Sequence, residues 1–135
     1  MKINISDSMT IKEIQDIFSN KYPYLQIEFF SKSHRTFAGS RKENMISSDT
    51  NIRDCRTQHH IGTLDIFPKT TVAELEIFFQ DVFGLFVQVF RKSGDVWIET
   101  TVTDDWTLEK QNAEAESYYN DVQVRNKTNR NHLLL

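Results

Sequence analysis

Apolar and polar positions alternate, fall into a helical period, then alternate again, and this series occurs twice along the chain. Ile3-Asn4-Ile5 and Leu64-Asp65-Ile66 both read apolar, polar, apolar, the period of a half-buried strand. Sixty-one positions also separate Thr10-Ile11-Lys12-Glu13 from Thr71-Val72-Ala73-Glu74. Each fits a capping box, in which the Thr hydroxyl accepts from the backbone N–H three residues on. Behind each cap runs an apolar stripe, Ile11, Ile14, Ile17, Phe18 and Tyr22 in the first copy and Val72, Leu75, Phe78, Phe79 and Phe83 in the second. That spacing keeps each set on one helix face. Pro23 ends the first helix and Gly84 the second, since Pro restricts the residue before it and Gly accepts the left-handed cap.

Beyond the helices the offset drops to 60, and Leu25–Phe30 aligns with Leu85–Phe90. Ser31-Lys32-Ser33-His34 then matches the turn Arg91-Lys92-Ser93-Gly94, and Thr36-Phe37 matches the strand start Val96-Trp97. These patterns predict an α+β fold, a tandem duplication of a β-α-β-β unit. The expected product is a mixed sheet of about six strands with both helices packed on one face. The first repeat covers about 2–38 and the second about 62–102, separated by a polar loop insertion at 39–60.

A third helix is expected over about 104–119, with Thr103-Asp104-Asp105 as cap candidates beside the positive helix end. Its stripes, Trp106, Lys110, Ala113 and Ser117, and Leu108, Ala115 and Tyr119, are only weakly apolar. Residues 1–120 thus read as one domain. The Asn-, Lys- and Arg-rich stretch 121–135, ending Leu133-Leu134-Leu135, reads as a flexible tail.

Size and composition fit a globular chain with a substantial core: 135 residues, 39% apolar and 26% charged. Ten Phe is a heavy allotment, and six of them fall between positions 67 and 90. Most belong in a core. Because Phe78 and Phe79 are neighbours on a helix, a narrow stripe need not bury both, so Phe79, Phe86, Trp97 and Trp106 are taken as a partner surface. Charge is uneven. Residues 31–60 hold six basic and three acidic side chains, while 99–121 hold seven acidic and one lysine, within a net charge of −3.

Chemistry-bearing patterns are sparse. Cys55, His59 and His60 are the nearest approach to a metal set, without the second pair a structural zinc site needs. No Gly-rich phosphate cradle or nucleophile elbow occurs, the four glycines lying far apart. No catalytic, cofactor-binding or metal-binding residue is therefore assigned, and no cofactor is expected. The lone cysteine, the absence of a long apolar run and an N-terminus that enters a strand directly point to the cytoplasm and away from membranes.

The leading expectation is a non-catalytic protein-interaction or accessory module that binds a protein partner or a second copy of itself. The alternative is a nucleic-acid-binding module that uses basic turns and the basic middle segment, through Lys32, Arg35, Arg41, Lys42, Arg91 and Lys92. A third reading places a small ligand or an active site in a cleft between the two copies.

Overall fold

Two antiparallel sheets and three helices make up the computed structural model of the chain, which describes residues 1–35 and 37–133, with backbone alone for 131–133. The elements are β1 (Lys2–Ile5), α1 (Ile11–Lys21), β2 (Leu25–Phe30), β3 (Gly62–Asp65), α2 (Val72–Phe83), β4 (Phe86–Ser93), β5 (Val96–Glu99) and α3 (Leu108–Leu133). Short 3-10 turns occupy Lys42–Asn44, Ile52–Cys55 and Thr101–Thr103.

Both capping threonines hold their helices as the sequence predicts. Thr10 Oγ1 accepts from Glu13 N at 3.2 Å, and Thr71 Oγ1 from Glu74 N at 3.1 Å. Gly84 closes α2 at φ 64°, a conformation that costs glycine nothing. Ile11, Ile14, Phe18 and Tyr22 of α1 and Val72, Leu75, Phe79 and Phe83 of α2 are buried in one core with Leu25, Ile27, Phe29, Val87 and Val89. The fifth member of each expected stripe is not. Ile17 is 39% and Phe78 42% exposed, because at about 100° per residue they lie well off the centre line of their stripes. The placement of Phe79 on a partner surface is thereby corrected. It is fully buried, edge-on to Phe29 with ring centroids 5.9 Å apart, and Phe78 faces out instead.

The expected mixed sheet gives way to two antiparallel ones. β1 pairs with β3, and β2, β4 and β5 form a separate sheet in the order β2-β4-β5. Each β-α-β unit therefore sends its two strands to different sheets, so no crossover makes a parallel pair. The registers centre on positions aligned by the repeat: Ile3 lies opposite Leu64, and Glu28 opposite Gln88.

Further contacts recur around the two helices. Ile11 N donates to Thr50 O, and Val72 N to Trp106 O, both at 3.0 Å; Lys12 N donates to Ser48 O, and Ala73 N to Asp104 O, both at 2.8 Å. Ile52 N reaches Met9 O as Leu108 N reaches Thr70 O, both at 2.8 Å. The turn at Ile52–Cys55 thus stands to α1 as the first turn of α3 stands to α2. On the outer edge of β2, Ile46 N donates to Phe29 O as Thr100 N does to Val89 O beside β4. The first-copy partner of β5 is therefore the segment around Met45, which bridges Phe30. The expected strand at Thr36-Phe37 does not form: Phe37 sits in a turn at φ 62°, and Thr36 lies outside the described residues. The cause is a long connection, residues 31–44, where the second copy has the tight turn at Gly94.

α3 differs from its expected bounds at both ends. Its cap is Thr107, whose Oγ1 accepts from Lys110 N at 3.1 Å, and the helix continues to Leu133 in place of the flexible tail. Leu108, Gln111 and Ala115 are its buried positions, with Tyr119 and Val122 half-buried on the same stripe. Leu134 and Leu135 lie outside the described residues.

Candidate functional site

β4, the segment before α3 and α3 itself meet in a groove of about 220 Å³ lined by Arg91, Lys92, Ser93, Trp106, Glu114 and Tyr118. β4 and its hairpin supply the cations, the segment before α3 supplies Trp106, and the helix supplies Tyr118. Cations lie over rings throughout. Lys110 Nζ is 4.2 Å and Arg91 Cζ 6.0 Å from the Trp106 centroid, and Lys92 Nζ is 5.4 Å from Trp97 and 5.8 Å from Tyr119. Such contacts are attractive through the ring quadrupole and hold long side chains in place. Beside the groove, β5 forms the edge of its sheet with Val96 59%, Trp97 38% and Ile98 36% exposed. Successive strand residues point to opposite faces, so β5 presents partly exposed apolar side chains on both, with Lys92 over Trp97 on one.

The sequence-derived candidates divide between the two ends of the molecule. Arg91, Lys92 and Trp106 line the groove, and Trp97 lies beside it under Lys92. Lys32, Arg35, Arg41 and Lys42 are exposed on the 31–44 connection, where Arg41 pairs with Glu43 at 3.4 Å. The β2–β4 register sets Leu25 opposite Arg91 and Phe30 opposite Phe86. Lys32, just past Phe30, is therefore at the far end of this strand pair from Lys92, and the six cations do not form one patch. Half-buried Phe86 is also at that far end. His59 Nδ1 is 2.7 Å from Asp7 Oδ2, and Cys55 Sγ donates to Asn51 O. Among the described residues no three His, Cys, Asp or Glu side chains converge on a metal position.

Sequence reasoning missed a second cluster, which seals the outer edge of β4 beyond the end of β5. Val89 N donates to Glu76 Oε2 at 3.0 Å, and Val89 O accepts from Thr100 Oγ1 at 2.9 Å. His34 reaches in from the 31–44 connection, its Nε2 3.0 Å from Val87 O and 3.7 Å from Glu76 Oε1, and its Nδ1 2.9 Å from Arg35 O. Asp104 is fully buried; its Oδ2 accepts from Phe37 N at 2.9 Å and its Oδ1 has no protein partner. Burial, reinforced by the Asp104 carboxylate, pushes the Glu76 carboxyl up to about 9. Burial also raises Asp104, against the opposing hydrogen bond from Phe37. The cavity beside His34 and Glu76 measures about 30 Å³, room for about one water. The cluster holds a loop to a sheet edge and offers little space for a ligand. One signal pointed to it. Glu76 and Gln15 are off-stripe polar residues at equivalent repeat positions.

No helix among the described residues is long and apolar enough to cross a membrane. Comparison with protein-family models, curated proteins and solved structures finds no match to this chain.

Proposed function

We propose that this protein is a non-catalytic binding module of the cytoplasm that docks a strand of a protein partner along β5. The observation that carries this reading is the composition of that edge. Sheet edges in soluble proteins are ordinarily guarded by lysine, proline, bulges or a covering loop. This one presents Val96, Trp97 and Ile98. Strand addition would satisfy the free backbone groups, and the adjacent groove offers aromatic and cationic contacts for side chains leaving the added strand. Two copies of one β-α-β-β unit, joined in tandem and each extended by the segment that caps its helix, are the proposed origin of the fold. The registers centred on Ile3–Leu64 and Glu28–Gln88 support this origin.

The test places lysine on the edge. Val96→Lys/Ile98→Lys should leave the fold intact and abolish both partner capture from native lysate and any dimer seen by light scattering. If the unmodified chain is strictly monomeric and captures nothing, the reading is rejected. Capture unchanged by the double variant would move the contact elsewhere.

A further inference from the structure

The final turns of α3 carry a separate feature. The helix has 26 residues, about 39 Å at 1.5 Å per residue, and its last half-buried side chain is Val122. From Gln123 to Arg130 every residue is exposed. Charge divides at the same point. Residues 108–121 hold four carboxylates and one lysine, while beyond Asp121 there are Arg125, Lys127 and Arg130 and no carboxylate. An arm this polar has no apolar stripe to bury against another protein.

The order of side chains around the arm is specific. At about 100° per residue, Asn126 and Asn129 form a strip flanked by Arg125 on one side and Arg130 on the other, with Lys127 behind. A helix 10–12 Å across fits a major groove about 12 Å wide. There, amide side chains at the floor meet base edges, and flanking cations meet the two phosphate backbones. We infer that residues 123–130 of α3 are a DNA-binding arm that lies in the major groove of a duplex, with Arg125 and Arg130 on opposite strands' phosphates. The acidic half of α3, repelled by the same phosphates, keeps the body clear. This inference is independent of the partner edge on β5, because the arm touches neither β5 nor the groove.

Fluorescence anisotropy with a labelled 20-base-pair DNA duplex tests it. Two phosphate contacts give a slope of log affinity against log salt of about −1.8, so binding at 50 mM KCl should fall about 12-fold by 200 mM. Arg125→Gln/Lys127→Gln/Arg130→Gln should remove most of the affinity and bring the slope towards zero, with the circular dichroism of the body unchanged. Lys21→Gln/Lys69→Gln, which removes two exposed cations outside the arm, should bind within twofold of the parent chain. Absence of binding at 50 mM, or undiminished binding by the triple variant, overturns the inference. So does an equal loss in the Lys21/Lys69 variant, or equal affinity for heparin, a single strand or duplex RNA. Light scattering on the Val96/Ile98 variant does not depend on the arm, so failure of one proposal leaves the other standing.

Discussion

Position 76 on α2 and position 15 on α1 seal equivalent strand edges with different chemistry. Gln15 Nε2 donates to Ile27 O at 2.8 Å on the outer edge of β2, while Glu76 accepts from Val89 N beside β4. Because Glu76 titrates near 9 in the fold and near 4.5 when unfolded, the native state holds a proton that the unfolded chain releases between those values. Stability from this group is complete below about pH 4.5 and falls as pH rises towards 9, by up to about 1.4 kcal/mol per pH unit. Asp104, also raised, acts in the same direction. Glu76→Gln keeps an acceptor for Val89 N and removes the titration. Urea denaturation should therefore show the variant roughly 2–4 kcal/mol more stable than the parent chain at pH 8, with the two converging near pH 5. Parallel stability profiles would show that Glu76 is not held protonated. The cluster was hidden in the sequence because helical periodicity reports which face meets the core, and Glu76 is off that face. What buries it is His34, on a connection more than forty positions away. The residues that sequence reasoning favoured, Arg91, Lys92, Trp97 and Trp106, were easier to find because cations and aromatic rings stand out by type alone.

The helices show how far pattern can be trusted. α1 and α2 were legible to within a residue or two, since a threonine cap, an apolar stripe and a breaker each constrain the same boundary. α3 was legible only where it touches the body. Its buried and half-buried stripe, Leu108, Ala115, Tyr119 and Val122, ends at Val122, and from 123 to 130 arginine, lysine and amide side chains predominate, with Val124 the one apolar residue, a composition that resembles a tail. Since the arm makes no contact with the core, truncation after Gln123 should change the unfolding free energy by no more than about 0.5 kcal/mol, measured by thermal denaturation. A loss above about 1 kcal/mol would mean that the arm folds back on the domain. The third strand of the first copy was misplaced for a related reason. The repeat located the end of β2 correctly at Phe30, but in place of the expected turn at 31–34 runs a connection to residue 44 that has no period to reveal its path.

In the whole molecule neither half is self-sufficient. β1 has only β3 as a partner, and β2 joins its sheet through β4. Residues 1–60 alone would leave β1 unpaired and β2 with only the bridge at Met45 on its outer edge, and the shared core would lose Leu64, Leu75, Phe79, Phe83, Val87 and Val89. That fragment should be largely unfolded by circular dichroism, and should gain ordered signal when mixed with residues 61–135. A fragment folded by itself would contradict the shared core. The sheet also has two unlike margins. Around β2, Gln15 and the segment at Met45 occupy the free backbone groups, whereas on β5 the 31–44 connection reaches only Glu99, at Gly39, and no described residue outside the sheet makes a backbone hydrogen bond to residues 96–98. In the β2-β4-β5 sheet an added strand thus finds its landing place at β5, the border at β2 being occupied among the described residues. Stacking of copies through this sheet ends with one pair, so growth along it into filaments, open to a sheet bare at both borders, is not expected.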